Sequence, residues 1–435
     1  MARVGGFYTR RGERGITMTF VVVAMFALLG MAALAIDLVT LYVARAQAQR
    51  IADAAALAGA KTLVDHGLTA DPTDAKGTWT ASCVQARSQA IVIANRGRIG
   101  GVAPATVTPC FPNGGACNAT CPAPGGVGTG FGVNPQVAVT VRSAVLPLFF
   151  AKLWGHNTAT VSAKGQAEGF NPSATDIPVA AKCVTPWMIP NRDPVNGGPI
   201  FNQGNGQMSN VIPSTTGVPA GFIGERIQLS TGCPAGCATP NPPTSSVGPP
   251  ARLTYYPLDL PNPAASGPSC SVGATYHQNI AACNPTPIAC GTQVNLDTTG
   301  NPNDVPNNQQ AIDCLIGASG PGLANGQDDL VATSFPYEIN AGTTHPSVAT
   351  GTEVSTSRSV VTIPIYDLGG GAAPGSPVTV IGFAQAFVLS ADSVTGEPTI
   401  QILNVSGCSA AARASAIPPV GLNGSSSVPV RLIQP

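Results

Sequence analysis

Cysteine is the residue type in this sequence whose number and placement point most directly to chemistry. The chain of 435 residues contains 12 cysteines. Disulfides stabilise loop-rich chains and form in oxidising compartments, and an even number of cysteines suits this use. Zinc is the alternative, because Cys117 with Cys121 and Cys233 with Cys237 have the spacing of ligand pairs. Both pairs lie among prolines and glycines, and the four histidines are scattered, so we expect disulfides. The candidate cysteines are Cys83, Cys110, Cys117, Cys121, Cys183, Cys233, Cys237, Cys270, Cys283, Cys290, Cys314 and Cys408.

Carboxylates are the second group that could do chemistry. The stretch from Asp297 to Asp304 is rich in oxygen ligands but lacks the spacing of an EF-hand calcium loop, so we expect an ordinary turn closed by a side chain. Asp328 and Asp329 form an acidic pair that we expect on a solvated loop. Ser319 lies in the sequence Gly317-Ala-Ser-Gly320, which is not a nucleophile elbow because Gly320 follows the serine directly. The sequence therefore indicates no catalytic, cofactor-binding or metal-binding residue, and it predicts a protein that is not an enzyme.

The overall charge argues against one class of partner. The formal net charge at pH 7 is zero and only 10% of the residues are charged, whereas nucleic-acid binding favours a basic surface. Gly and Pro number 50 and 41, and aromatic residues make up only 5%. This composition is typical of a loop-rich β protein.

One long apolar segment precedes all of the cysteines. Residues 16–36 carry no charge and are long enough to cross a bilayer as a helix. Arginines dominate the preceding residues, which favours a cytoplasmic N-terminus and an extracytoplasmic remainder. A cleaved signal peptide is the alternative, with Ala33 and Ala35 at a possible processing site, although the apolar run is longer than that class requires. The predicted anchor residues are Ile16, Phe20, Phe26, Leu29, Leu34 and Ile36.

The helical pattern continues beyond the apolar run. Apolar residues recur there at alternating spacings of three and four, and no glycine or proline lies between Gly30 and Gly59. We therefore predict an unbroken helix from Ile16 to about Leu63. Its apolar stripe either docks on the protein's own outer part, which we favour, or also packs against neighbouring subunits. The predicted stripe consists of Leu41, Ala44, Ala48, Ile51, Ala55 and Ala58.

Several distinctive features follow one another in the N-terminal region. They are the apolar run, its exit at Ala35-Ile36-Asp37, the Leu41-Tyr42 pair, and the alanine-rich residues 52–60. With these features the region resembles the TadE/TadG-like family of tight-adherence (Flp) pilus-assembly proteins. Residues 133–169 resemble the family more loosely, with a strand, the sequence LPLFFAKLWG and a second strand of small residues. A prepilin cleaved after Gly15 would need Glu at position 20, where this chain has Phe20. The resemblance therefore implies a permanently anchored component with pilus or secretion-platform proteins as partners.

Taken together, these patterns predict an α+β protein with a defined order along the chain. A single transmembrane helix would continue into a long pilin-like helix packed on an antiparallel β-sheet, with a disulfide-rich loop insertion. We expect the C-terminal strands to pack on the first sheet or on the helix. The predicted segments are a basic cytoplasmic segment (1–15), the transmembrane helix (16–37), a helical extension (38–64), a pilin-like α+β region (65–170), an insertion rich in Cys, Pro and Gly (171–351), C-terminal β-strands (352–408) and a tail (409–435).

The function that these expectations support is non-enzymatic. We expect a single-pass protein of the bacterial inner membrane that takes part in tight-adherence (Flp) pilus assembly or related secretion. Its C-terminal domain would be periplasmic or otherwise extracytoplasmic, and its partners would be the lipid bilayer and pilus or secretion-platform proteins. A membrane-tethered binding or adhesion module unrelated to pili is the alternative.

Overall fold

A computed structural model gives the architecture of the chain. The structure describes residues 13–65, 75–112, 121, 135–148, 150–151, 155, 158–169, 179–181, 183–204, 206, 222–233, 237–263, 272–282, 284, 286–318, 326–332, 337–346, 348–354, 357–368, 373–408, 410, 420–421 and 430–433.

Four helices and 19 strands lie in these residues. The helices are α1 (Glu13–Asp65), α2 (Ala75–Arg96), α3 (Thr275–Ala281) and α4 (Val305–Ile316). The strands are β1 (Thr106–Cys110), β2 (Gln136–Arg142), β3 (Leu146–Pro147), β4 (Thr158–Ala159), β5 (Ser162–Gly169), β6 (Val179–Ala181), β7 (Trp187–Pro190), β8 (Arg226–Thr231), β9 (Ser245–Ser246), β10 (Ala251–Pro257), β11 (Ile288–Ala289), β12 (Gln293–Val294), β13 (Asp329–Val331), β14 (Glu338–Asn340), β15 (Val360–Tyr366), β16 (Val378–Ala391), β17 (Pro398–Gly407), β18 (Val420–Gly421) and β19 (Val430–Ile433).

Helix α1 is a single continuous helix of 53 residues, as the sequence predicts. Gly30 does not interrupt it, because an isolated glycine lowers helix stability only modestly and the flanking residues are good helix formers. At 1.5 Å per residue the helix is about 80 Å long. It is therefore much longer than the roughly 30 Å hydrocarbon core of a bilayer.

The C-terminal half of α1 packs on a four-stranded antiparallel sheet and on helix α2. The strand order is β1-β2-β5-β19. Val137, Val139 and Val141 of β2 are fully buried in the core formed with α1, while Thr140 and Arg142 are exposed. The three valines of β2 thus form an apolar face that lies under the helix, and Ala138 on the other face is buried as well.

The last strand of this sheet comes from the far end of the chain. Strand β19 pairs antiparallel with β5, with Arg431 opposite Glu168. Arg431 also forms an ion pair with the buried Glu168, at 2.7 Å between nitrogen and oxygen. The predicted tail, residues 409–435, therefore contributes an edge strand. Everything between β5 and β19 is inserted into one small α+β unit.

The inserted part is built around an eight-stranded mixed sheet. Its order is β12-β16-β15-β7-β10-β8-β17, with β9 alongside β10, and β16 also pairs with β17. The pairings β10 with β8 and β15 with β7 are parallel, and the others are antiparallel. Because β16 pairs with both β15 and β17, six strands close into a ring. A closed ring leaves fewer unpaired edges than an open sheet.

Two helices cover one side of this sheet. Asp304 caps the N-terminus of α4 by accepting from the backbone N–H of Asn307, and Gly317 ends the helix with a left-handed φ of 75°. Both are standard helix-boundary signals. Ile312 of α4 and Tyr276 of α3 are buried in the same core as Ile363 of β15.

The packing expected for the C-terminal strands is found in part: β17 contacts the end of α1, but the strands pair outside the first sheet. The β15–β16 hairpin and the third strand, β17, form as predicted, but their partners are β7 and β8 from residues 171–351. The insertion is therefore a set of core strands rather than loops alone. The physical reason is that β16 is buried along almost all of its length, and the backbone N–H and C=O groups of a buried strand need hydrogen-bond partners at both edges.

Each of the nine cysteines in the described part of the chain is disulfide-bonded. The described pairs are Cys83–Cys121, Cys233–Cys237 and Cys290–Cys408. Cys110, Cys183 and Cys314 are also disulfide-bonded. Three of the four cysteines in the two candidate zinc-ligand pairs are therefore in disulfides, namely Cys121, Cys233 and Cys237. The remaining candidates, Cys117, Cys270 and Cys283, lie outside the described residues.

Candidate membrane anchor and helix-docking site

The N-terminal half of α1 exposes its apolar side chains. Phe20, Phe26, Leu29, Leu34 and Ile36, which the sequence assigns to the anchor, are each at least half exposed. Ile16 lies within α1, but its side chain is outside the described part of the structure. Among the described residues, α1 is the one helix long and apolar enough to cross a membrane. An exposed apolar surface of this extent requires a partner other than water.

The C-terminal half of α1 instead buries a stripe of small residues. Of the predicted stripe, the structure buries Ala44, Ala48 and Ala55, while Leu41, Ile51 and Ala58 are half-buried. The sequence analysis did not include the other fully buried members of this face. These are Ala52, Ala56, Ala60 and Leu63.

The observed buried surface is wider than the single predicted stripe. Each residue turns an α-helix by about 100°, so alanines four residues apart advance by about 40° at each step. The buried alanines from Ala44 to Ala60 therefore cover about 160° of the helix circumference, more than the predicted stripe covers. The physical reason is that α1 packs against both α2 and the sheet, so two sides of the helix are covered. Alanines at four-residue intervals are the signal that would have extended the predicted stripe.

The alanines allow β5 to approach the helix backbone directly. A Cβ atom built on Gly165 would lie 2.5 Å from the carbonyl carbon of Ala52 and 2.6 Å from the backbone nitrogen of Asp53. Such distances leave no room for a side chain. The contact between α1 and β5 thus depends on glycine in the strand and on small residues in the helix.

Two glutamines fix the position of α1 on either side of Ala48. Gln47 accepts a hydrogen bond of 2.8 Å at its Oε1 from the backbone N–H of Gly100, in the turn that follows α2. Gln49 donates from its Nε2 to the backbone carbonyl of Lys164 in β5, at 2.9 Å. Apolar contacts between alanines alone would leave this position along the helix axis poorly specified.

Asp37 connects the anchor to the outer part of the protein. Although it follows the apolar run, it is only 2% exposed. Its Oδ2 accepts hydrogen bonds from the backbone N–H groups of Phe150 and Ala151, at 2.9 and 2.7 Å. Hydrogen bonds to an ionised group are the strong ones in proteins. The two sequence motifs that resemble the pilus-assembly family, the Asp exit and the LPLFFAKLWG segment, therefore meet in space.

The far end of α1 contacts the inserted sheet. Asn404 of β17 is fully buried and donates from its Nδ2 to the backbone carbonyl of Val64, at 2.9 Å. The last carbonyls of a helix have no partner within the helix. Asn404 supplies one, and in doing so joins the helix to the larger sheet. On the neighbouring helix, Gln89 donates to Glu353, at 3.2 Å.

Two other acidic residues considered in the sequence analysis, Asp297 and Asp328, form hydrogen bonds within the fold. Asp297 accepts at its Oδ1 from the backbone N–H groups of Thr299 and Gly300, which is the expected turn. The expectation that Asp328 is solvated is wrong. Asp328 is buried and accepts from Ser357 at 2.6 Å and contacts His345 at 3.0 Å, so His345 is not isolated either. Within the described residues, no cluster of three or more His, Cys, Asp or Glu side chains could hold a metal.

One buried pair of acids in the inserted domain is electrostatically unusual. Glu225 and Asp193 are both less than 5% exposed. Burial, together with the neighbouring Asp193 carboxyl group, raises the pKa of Glu225 to about 8. Asp193 accepts hydrogen bonds from the backbone N–H groups of Val195 and Asn196. With a pKa of about 8, Glu225 carries a proton at neutral pH.

Comparison with known proteins gives one finding, and it concerns α1. The family model described as Flp pilus-assembly TadE/G-like matches residues 15–62. The match covers nearly all of α1 and no other element, so the resemblance stated for the N-terminal region is confirmed there. Neither the curated proteins nor the solved structures contain a match to the chain. The match indicates involvement in Flp pilus assembly, and the inserted domain is not part of it.

The close approach at Gly165 predicts a specific sensitivity to a single methyl group. Replacing Gly165 with Ala should destabilise the outer part by about 1–3 kcal/mol, because the added Cβ forces the strand away from the helix. Chemical denaturation of the purified full-length protein would measure the change. Gly198→Ala is the matched control, since nothing lies within 4 Å of a Cβ at that position. Equal stability of the two variants would contradict the contact.

The two hydrogen bonds of Asp37 predict that its removal loosens the backbone at Phe150 and Ala151 and leaves the rest of the fold intact. Asp37→Ala removes the acceptor of two backbone N–H groups and should cost about 2–3 kcal/mol locally. Amide hydrogen exchange at Phe150 and Ala151 should become faster while exchange in β2 stays slow. Asp53→Ala is the control, because Asp53 accepts from Gln49 on the same helix. Unchanged exchange at Phe150 and Ala151 would show that Asp37 does not fix this segment.

The raised pKa of Glu225 predicts that the free energy of unfolding depends on pH. Its folded pKa of about 8 lies above the ordinary value of 4.5, so the folded state binds more protons than the unfolded state between these values. The contribution of Glu225 to stability is therefore present below pH 4.5 and is lost as the pH rises toward 8. Glu225→Gln, which stays neutral, should become progressively more stable than the wild type over this range. Parallel denaturation curves for the two proteins at every pH would contradict the assignment.

Proposed function

We propose that this protein is a non-enzymatic, membrane-anchored component of a tight-adherence (Flp) pilus-assembly or related secretion system. The observation that carries the proposal is the coincidence of the family match with α1. The same helix exposes an apolar surface over its N-terminal half and buries alanines over its C-terminal half.

The proposed topology follows from the two halves of the helix. The N-terminal half crosses the inner membrane with residues 1–15 in the cytoplasm, since arginines precede the apolar run. The C-terminal half carries the rest of the chain, residues 75–433, which we call the outer domain. It lies on the extracytoplasmic side, where its disulfides are stable. The protein acts by holding its outer domain at a set height above the bilayer and by presenting the free face of α1 to other envelope proteins.

That free face is the proposed contact with pilus or platform proteins. Ala46, Arg50 and Ala54 lie on α1 outside the apolar run and are exposed. Ala48 and Ala55 are buried in the core that α1 forms with α2 and the sheet. Small exposed residues on a helix permit close packing of a second helix. A partner would therefore bind opposite the buried stripe, and the stripe itself serves internal docking.

Site-specific photo-cross-linking in cells tests this proposal. A photoreactive amino acid at Ala46 or Ala54 should capture proteins of the same pilus or secretion system. Val394, which is 79% exposed on the inserted domain, is the control position. Capture of pilus or platform proteins at α1 but not at Val394 supports the proposal. No capture at α1, together with normal piliation in a deletion strain, would contradict it.

One observation favours a second candidate function. The inserted domain forms a complete core of its own and lies outside the family match. A membrane-tethered binding or adhesion module would place its binding surface there. In that case the cross-links from Val394 would capture a partner, and those from α1 would not.

A further inference from the structure

Helix α1 stays apolar on its exposed face well beyond Asp37. Leu38, Val39, Tyr42 and Val43 are exposed by 63%, 59%, 73% and 48%. The next charged residue along the helix is Arg45, which is eight residues, or about 12 Å, further on. Asp37 itself is capped and buried, so it does not mark where the helix surface becomes polar. The polar boundary on this face of the helix therefore lies at Arg45.

The opposite face is covered by protein before the apolar run has ended. Ala33 is only 8% exposed, whereas Ala24 and Ala27, deeper in the run, are exposed. Burial on this face of α1 thus begins one turn on the N-terminal side of Asp37. The apolar surface of the helix and the base of the outer domain overlap along the helix axis.

Residues 146–151, of which 146–148, 150 and 151 are described, lead along α1 from the level of Gln47 to the level of Asp37. A Cβ atom on Gly100 would lie 2.8 Å from Leu146, and Gly100 is bonded to Gln47. Phe150 and Ala151 are bonded to Asp37. From Leu146 to Ala151 the chain therefore moves along α1 by about 15 Å, from the level of Gln47 to that of Asp37. Phe150 lies at the bottom and is half-buried.

We propose that the base of the outer domain is immersed in the lipid headgroup layer of the outer leaflet. The immersed surface, which we call the collar, consists of Leu38, Val39, Tyr42 and Val43 on α1 together with Phe150. This inference rests on the proposed membrane anchor and extends it from the helix to the outer domain. Aromatic residues favour the bilayer interface, where Tyr42 and Phe150 would lie. Arg45 then lies where it can contact lipid phosphates.

The length of the apolar surface agrees with such a collar. From Thr17 to Val43 the helix measures about 40 Å, which exceeds the hydrocarbon core of about 30 Å but matches the 40–45 Å of core plus interfacial layers. The capping of Asp37 fits the same position. A carboxylate with two backbone donors and almost no exposure can approach the membrane, whereas an uncapped one would be costly there.

Lipid-quenching fluorescence on the full-length protein tests the collar. An environment-sensitive fluorescent amino acid would replace Phe26, Val43, Phe150 or Val145 in turn, in nanodiscs of phosphatidylethanolamine and phosphatidylglycerol. Bromine on the acyl chains, near the headgroup or at mid-chain, would serve as the quencher. Val145 is the matched control, because it is 62% exposed beside Leu146, at the upper end of the same segment.

The collar predicts a graded result. Mid-chain bromine should quench the probe at Phe26, bromine near the headgroup should quench it at Val43 and Phe150, and neither should quench it at Val145. Quenching at Phe26 without quenching at Val43 and Phe150 would overturn the collar and leave the anchor intact, including the case in which a second copy of the chain covers this surface. Absence of quenching at Phe26 would instead overturn the membrane anchor itself, and the collar with it.

Discussion

The backbone contact between α1 and β5 is the constraint on which the rest of the structure depends. At Gly165 the strand lies so close to Ala52 and Asp53 that no side chain fits between them. Close packing of this kind holds only when both surfaces are made of small residues, and α1 supplies alanines at four-residue intervals on that face. Because this contact orients the sheet on the helix, the direction of α1 determines the direction of the whole α+β unit.

The larger domain takes its position from the same helix. It is inserted between β5 and β19, so both of its connections leave from strands that pack on α1 or beside it. Asn404 then joins the inserted sheet to the end of the helix at Val64. From Asp37 to Val64 the helix rises about 40 Å. A single rigid element thus sets the height of the inserted domain above the level of Asp37.

The sequence predicts local features of this architecture well and long-range pairing poorly. The continuous helix, β2, the β15–β16 hairpin and the disulfide use of the cysteines follow from short-range patterns of polarity, turns and composition. The pairing of β7 and β8 with β15 and β17 could not be predicted, because buried strands carry no signal for which neighbour they choose. The return of β19 to the first sheet is likewise hidden, since four residues near the chain end look like a tail.

The same contrast between local features and long-range contacts holds for single residues of α1. The apolar run can be predicted because it is long, and part of the alanine stripe can be predicted from its spacing. The sequence does not show that α1 is covered on two sides, by α2 and by the sheet. The partner of Asp37 is 113 residues away in sequence, and the partner of Val64 is 340 away. Hydrogen bonds over such separations leave no periodic pattern. Asp328 and Glu225 were unpredictable for a related reason, since an isolated acidic residue is usually exposed.

A distance measurement along α1 tests the central claim most directly. Nitroxide labels at Val23 and Ala54, both exposed in the structure, would be placed in the full-length protein in lipid nanodiscs and measured by pulsed electron paramagnetic resonance. A continuous helix predicts a narrow distribution centred at about 46 Å. A broad distribution, or a mean shorter by about 10 Å, would show a bend between the two halves. Such a bend would contradict the conclusion that one rigid helix carries the outer domain.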